Sequence, residues 1–125
     1  MQYKVGVETQ VTDKLYDLKQ LREMLGGNPE FLTSLAGIYL KTVPVNSKEM
    51  IQATMKEDWL MVSKLAHKMK PTIDSMNIKC IRSDIRTLET DAKNQVNTHA
   101  LGIIAVKVDT VVNRVAEQLK YEFNL

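Results

Sequence analysis

The chain has a single cysteine, Cys80, and therefore cannot form a disulfide within itself. A lone thiol suits a reducing compartment, so we expect the protein to be cytoplasmic. No stretch approaches the ~20 apolar residues of a membrane-spanning helix. Residues 1–5 lack the apolar run that begins a signal peptide. These absences predict a protein without membrane association.

A strong net charge is also missing. The formal charge is +2 at pH 7, which is too small to argue for nucleic acid. Asp74, Asp84 and Glu89 interrupt the central basic residues, so no continuous basic stripe forms and we expect no nucleic-acid partner. Those basic residues are Lys64, Lys68, Lys70, Lys79, Arg82 and Arg86. The sequence contains no glycine-rich phosphate loop, nucleotide fingerprint or carboxylate pair at metal-ligand spacing, so we expect neither a cofactor nor a metal site.

The apolar pattern indicates helices. Four long segments carry apolar residues at helical spacing, and short joints connect them. We predict one all-α domain over residues 1–125, with its core at about residues 13–122, folded as an antiparallel four-helix bundle. A short extra helix over residues 13–25 precedes the bundle and is stopped by Gly26 and Gly27. The initial methionine and the length favour a free-standing protein, and the lack of an evident fifth apolar face favours a monomer.

Capping residues and prolines predict the limits of the second helix. Asn28 is suited to cap it, and Pro29 then occupies the first helical position, where a missing N–H costs nothing. Pro44 should bend or split this helix near Thr42. The periodicity then resumes and continues to about Lys56.

The second half of the chain contains three further helical segments. Asp58 is suited to cap the first of them, and the next begins after Asn77. The inward stripe of that next segment is Ile78, Ile81, Ile85, Leu88 and Ala92. Residues 91–98 are polar and predict a loop, with Thr98 as the cap of the last helix. Its stripe is Leu101, Ile104, Ala105, Val108, Val111, Val112, Val115 and Leu119.

One histidine lies on the polar side of the segment over residues 59–76. The apolar residues of this segment fall within one arc of ~100° on a helical wheel. They are Val62, Leu65, Ala66, Met69, Ile73 and Met76. His67 lies ~150° from the centre of that arc, so its imidazole should point into water. The residues predicted to share its side of the helix are Leu60, Ser63, Lys64, Pro71 and Asp74.

An exposed imidazole can act as a nucleophile toward a phosphoryl group. It needs one unprotonated ring nitrogen that is open to in-line approach, and a free imidazole is mostly neutral at the pH of a cell. Lys70 and Lys64 each lie three residues from His67 and are its neighbours on a helix. They are therefore suited to offset the charge of a bound phosphoryl group. Lys68 adds positive potential more remotely.

The sequence around this histidine is similar to a known family. The run from Ala66 to Lys70, Ala-His-Lys-Met-Lys, resembles the Ala-His-x-Leu-Lys-Gly centre of the histidine phosphotransfer (HPt) domains of bacterial two-component phosphorelays. Two departures are that Pro71 replaces the usual glycine and that Asn77 stands where a second glycine is common. The likeness covers roughly residues 15–93. Its other matches are Asp58-Trp59, Asn28-Pro29-Glu30-Phe31, Tyr39 followed by Pro44, and Leu88-Glu89.

The resemblance implies a phosphocarrier rather than a stand-alone enzyme. His67 would accept a phosphoryl group from a receiver-domain aspartate or a kinase, become phosphohistidine, and pass the group to another receiver. The implied partners are response-regulator receiver domains and a hybrid sensor histidine kinase, with Mg²⁺ expected on the receiver and not on this chain. The expected docking residues are Leu60, Ser63, Pro71 and Asp74. The alternative function is a non-catalytic helical adaptor that binds a signalling partner without phosphate transfer.

Overall fold

The computed structural model describes residues 13–26 and 28–125, and this part of the chain is helical without a strand. The predicted all-α class is therefore confirmed. Residues 1–12 and Gly27, which belong to the predicted domain and to the predicted helix stop, lie outside the described residues. The helices are α1 (Lys19–Met24), α2 (Pro29–Met55), α3 (Trp59–Ser75), α4 (Arg82–Asn94) and α5 (Thr98–Phe123), with a 3-10 turn at Lys79–Ile81 before α4.

The four long helices bury their apolar stripes against one another. Helix α2 packs on α3 and α5, α3 packs on α4, and α4 packs on α5. The buried side chains form one cluster, in which each fully buried Val, Leu, Ile or Met side chain contributes about 1.5–3 kcal/mol relative to its exposed state. Within the described residues, no helix has both the length and the apolar character needed to cross a membrane. Large side chains at the centre of the cluster are Tyr39, Met50, Met69, Ile85, Leu88, Leu101 and Leu119.

Two of the predicted N-terminal caps are confirmed. The Asn28 side chain accepts a hydrogen bond from the Glu30 N–H at 3.0 Å, and Pro29 is the first residue of α2. The Asp58 carboxylate accepts one from the Met61 N–H at 3.2 Å at the start of α3. Each cap satisfies a backbone donor that the first helical turn leaves without a partner.

Neither internal proline ends a helix. Helix α2 runs through Pro44 without the split near Thr42 that was one of the two predicted outcomes, the bend stays a prediction, and α3 runs through Pro71. A helix-interior proline removes one backbone hydrogen bond at a cost of about 3 kcal/mol. Contacts of the flanking residues with neighbouring helices offset that cost. Val43 is buried in the core, and the Ser47 hydroxyl donates to the Asp109 carboxylate of α5 at 2.6 Å.

The first helix is shorter than predicted. Helix α1 begins at Lys19, whereas the prediction placed its start at residue 13. The preceding backbone bonds to other helices instead of to itself. The Leu15 N–H donates to the side chain of Gln118 at 3.0 Å, and the Asp17 N–H donates to the Met76 carbonyl at 2.9 Å. These tertiary bonds satisfy donors that a continued helix would have used.

The predicted loop over residues 91–98 is also too long. Helix α4 continues to Asn94 because Ala92 is buried in the core and extends the inward stripe by one turn. The N-cap position of α5 belongs to Asn97, and Thr98 is the first helical residue, so the predicted Thr98 cap is wrong. Asn97 has a φ of 52°, in the left-handed region that asparagine tolerates better than most residues.

Replacing Tyr39 with phenylalanine should destabilise the fold by about 1 kcal/mol, because the buried Tyr39 hydroxyl donates to the Val112 carbonyl of α5. That bond is 2.9 Å long and joins two of the long helices. Urea unfolding measures the change. Tyr121→Phe is the matched control, since Tyr121 is 87% exposed and its replacement should leave stability unchanged. Equal midpoints for the two variants would contradict this interpretation of the hydroxyl.

Candidate functional site

His67 stands on the outer surface of α3. Its side chain is 73% exposed, which confirms the predicted exposure. The rotation of α3 is set by apolar residues at helical spacing, because Val62, Ala66 and Met69 are all buried against the core. The imidazole therefore lies at the margin between solvent and α4.

One carboxylate on α4 contacts two of the predicted site residues. His67 Nδ1 lies 2.6 Å from Glu89 Oε2, and Lys70 Nζ donates to Glu89 Oε1 at 2.7 Å. The Ser63 hydroxyl also donates to the Glu89 main-chain carbonyl at 2.9 Å. Three residues of α3, spaced over two turns, thus bind a single residue of α4. The arrangement joins the imidazole and the ammonium group through Glu89.

The electrostatics of the site favour an ionised Glu89. The hydrogen bond from Lys70 is the largest cause that holds the pKa of Glu89 below its ordinary value. The hydrogen bond with His67 lowers that pKa further, while desolvation opposes both effects. The Glu89 side chain is only 19% exposed, so water screens these contacts less than it would on an open surface. Glu89 is therefore a negatively charged acceptor at neutral pH.

An ionised acceptor at Nδ1 selects one form of the imidazole. A carboxylate can only accept, so a neutral His67 carries its proton on Nδ1 and donates it to Glu89. The other ring nitrogen, Nε2, then bears the lone pair. No hydrogen bond engages Nε2 within residues 13–26 and 28–125, and the side chain opens to solvent. The geometry presents a nucleophilic nitrogen outward with its orientation fixed from behind.

The predicted lysines differ in their surroundings. Lys70 is 30% exposed and its ammonium group is held by Glu89. Lys64 and Lys68 are exposed, and neither joins an ion pair in the described part of the chain. Both remain available to an anion that arrives at the surface of α3. Lys64 is three residues before His67 and Lys68 is next to it.

The predicted docking residues do not form one exposed set. Leu60 is 65% exposed, and Pro71 is also exposed. Ser63 is 8% exposed, because α4 covers it and accepts its hydrogen bond at Glu89. The expectation that Ser63 lies on the open surface is therefore wrong.

Asp74 is partly exposed and forms ion pairs. Its carboxylate accepts two hydrogen bonds from Arg86, at 2.7 and 3.1 Å, and lies 3.6 Å from Arg82. The hydrogen bond from Arg86 is the main reason that the pKa of Asp74 is lowered. Two cations of α4 thus share one carboxylate of α3. Asp74, like Glu89, links these two helices.

Glu89 is the site residue that the sequence did not single out. In the sequence it figures only as one of the acidic residues that interrupt the basic surface and as part of the Leu88-Glu89 match to the HPt family. Its position beside Leu88 in the buried stripe of α4 places it at the edge of a helix contact. The sequence does not show that this edge meets His67, because the pairing depends on the register of α3 against α4.

The site is an open surface and not a pocket. A concavity of about 470 Å³ lies elsewhere, around Tyr16, Arg22, Lys79 and Glu122. In the described ranges, no three side chains of His, Cys, Asp or Glu come together in a way that could hold a metal ion. His67 lines neither this concavity nor the smaller cavity beside α2.

Comparisons of this chain with protein-family models, with curated proteins and with solved structures give no match. The likeness to HPt domains therefore rests on the short motifs around His67.

Lowering the pH should remove the stability that Glu89 and Asp74 contribute. Their pKa values are lowered in the fold, so this contribution is complete above the ordinary carboxyl range near ~4 and is lost as pH falls through the folded values. Glu89→Gln should reduce stability at pH 7 and flatten the acidic limb of a urea-midpoint profile. Glu117→Gln is the control, because Glu117 is 76% exposed. An unchanged limb in Glu89→Gln would refute the role of this carboxylate.

Proposed function

We propose that this protein is a histidine-containing phosphotransfer protein, in which His67 accepts a phosphoryl group from a receiver-domain aspartate and yields it to another receiver. The associated fold is an antiparallel four-helix bundle preceded by the short helix α1. Supporting this architecture, α2, α3, α4 and α5 each contact two others in a closed order. The contacts Ser63–Glu89 and Asp74–Arg86 indicate that α3 and α4 run in opposite directions.

The observation that carries the proposal is the pairing of His67 Nδ1 with Glu89 at 2.6 Å on a side chain that is 73% exposed. The same carboxylate also binds Lys70, so the imidazole and an ammonium group are held side by side at the surface of α3. The pairing orients the ring and leaves Nε2 for in-line attack, which is what phosphoryl transfer needs from an acceptor.

The transfer step follows from this geometry. The Nε2 lone pair attacks the phosphorus of a receiver's aspartyl phosphate, the P–O bond to the aspartate breaks, and its electron pair returns to that carboxylate. An N–P bond forms on Nε2 without loss of a proton. The ring gains positive charge, which the ionised Glu89 stabilises through the Nδ1–H hydrogen bond. Attack by a second receiver's aspartate reverses the step.

Nearby lysines offset the charge of the phosphorylated state. A phosphoryl group brings close to two negative charges at neutral pH. Lys64 lies one helical turn from His67 and is exposed, and Lys70 lies one turn on in the other direction. Lys68 extends the positive surface and would speed encounter with an acidic partner.

The partner would supply what this chain lacks. The aspartate comes from a receiver domain, and the Mg²⁺ expected there offsets phosphoryl charge during transfer. A hybrid sensor histidine kinase would be the upstream source. Leu60 and Pro71 flank the histidine on the exposed side of α3 and are suited to contact such a partner.

Incubation with a ³²P-labelled receiver tests the proposal. Wild type should gain an acid-labile label, His67→Gln should gain none, and His99→Gln is the control because His99 is exposed on α5, away from Glu89. Lys70→Ala should slow transfer by about fivefold, the effect of losing ~1 kcal/mol of ion pairing. Equal labelling of wild type and His67→Gln would refute the assignment. Absence of label on wild type with every receiver of the source cell would favour the adaptor function instead.

A further inference from the structure

Helix α2 carries a second apolar stripe that faces away from the core. Phe31, Ile38 and Val45 are 48%, 58% and 53% exposed. They recur at intervals of seven residues and therefore share one strip of the helix surface. The sequence favoured a monomer because no fifth apolar face was evident. The structure exposes such a face on α2.

We propose that this stripe is the contact of a symmetric homodimer, in which α2 packs antiparallel against α2 of a second copy. Phe31 and Val45 are equidistant from Ile38 along the helix. A two-fold axis at Ile38 therefore places Ile38 against its own copy and Phe31 against Val45 of the other protomer. The stripe is self-complementary, as an interface between identical subunits must be.

Two charges beside the stripe fit the same axis. Glu30 lies eight residues before Ile38 and Lys48 lies ten residues after it. At the rise of an α-helix these positions are about 12 and 15 Å from the axis, and both lie ~80° to one side of the stripe. The antiparallel dimer thus brings Glu30 of each protomer beside Lys48 of the other. A parallel pairing would put the two copies of each charge at the same level but on opposite flanks, and would pair neither Glu30 nor Lys48 with an opposite charge.

Both charged residues are available for this contact. Glu30 and Lys48 are exposed, and neither forms an ion pair among the residues that the structure describes. Charge complementarity of this kind fixes the register and orientation of a helix pair. The match of Glu30 with Lys48 under the two-fold that also matches the apolar residues favours a second copy of this chain as the partner, while Lys41, on the same flank and about 4.5 Å from the axis, lies near its own copy.

The shape beside the stripe suits a modest interface. A cavity of about 120 Å³ lies between α2 and α3, lined in part by Leu35, Ile38, Thr42, Thr72 and Ser75. A side chain of the second protomer can insert into this cavity, as in the knobs-into-holes packing of paired helices. A single helix pair buries an area at the lower end of specific interfaces, so we expect a weak dimer.

The dimer leaves the candidate site open and does not rest on the proposed function. His67 faces α4, where it contacts Glu89, whereas Thr72 and Ser75 line the cavity beside α2. His67 thus lies on the side of α3 that faces α4, whereas the dimer contact is on α2, which packs against another side of α3. Dimerisation can fail while transfer succeeds, and the reverse also holds.

Disulfide trapping tests the axis. In a Cys80→Ser background, Ile38→Cys should form a covalent dimer on mild oxidation because residue 38 meets its own copy. Thr110→Cys is the control, since Thr110 is exposed on α5 and should not cross-link above the collisional level. Mixing Phe31→Cys with Val45→Cys should give a hetero-cross-link more readily than either protein alone. Equal cross-linking at residues 38 and 110 would overturn the proposal.

Sedimentation velocity from about 5 to 500 µM tests the interface without cysteines. Ile38→Asp should give a monomer, and circular dichroism should show an intact fold because residue 38 is exposed. Lys48→Glu should weaken the dimer about tenfold, since symmetry removes two ion pairs and opposes like charges. The double variant Glu30→Lys/Lys48→Glu should restore wild-type affinity.

Three results would overturn the homodimer. One is a monomer at every concentration, and another is a dimer that Ile38→Asp leaves intact. The third is a monomer that dimerises only after residues 1–12 are removed, which would assign the stripe to the chain's own N-terminal segment.

Discussion

The candidate site depends on the two contacts that the Glu89 carboxylate makes with α3. The carboxylate holds the imidazole of His67 through Nδ1 and the ammonium group of Lys70 through its second oxygen. An isolated α3 would carry the same histidine and the same lysines, yet nothing would choose between the two ring nitrogens. The contact with Glu89 orients the exposed imidazole, and in the neutral ring it places the proton on Nδ1 and the lone pair on Nε2, as the proposed nucleophile requires.

That contact in turn depends on how α3 and α4 align. The register is set by buried apolar residues, Leu88 and Ile85 on α4 and Met69 on α3, and by the ion pair of Asp74 with Arg86. The Ser63 hydroxyl adds a bond to the Glu89 main chain, which limits sliding at the site itself. The core positions the helices, the polar contacts select one register, and the register places the carboxylate beside the ring.

Periodicity within a single helix was enough to predict the all-α class and the exposure of His67. Periodicity does not predict that Glu89 contacts His67, because a helical wheel shows which residues share a face but not which residue of another helix meets that face. The predicted exposure of Ser63 is wrong for the same reason, since a helical wheel of α3 does not show that α4 covers this residue. Pro44 does not split α2, and the residues around it are held by the core at Val43 and by Asp109 at Ser47, contacts that a single helix does not reveal. The sequence does not separate the stripe of Phe31, Ile38 and Val45 from the core face of α2, because each member directly precedes a buried residue of that helix.

The most direct measurement is the position of phosphorus on the ring. Wild-type protein phosphorylated by a receiver can be examined by ³¹P-coupled NMR with ¹⁵N-labelled histidine. Since Glu89 holds Nδ1, the phosphoryl group should be found on Nε2 of His67, with the proton retained on Nδ1. Phosphorus on Nδ1, or on any residue other than His67, would contradict the role assigned to the Glu89 carboxylate.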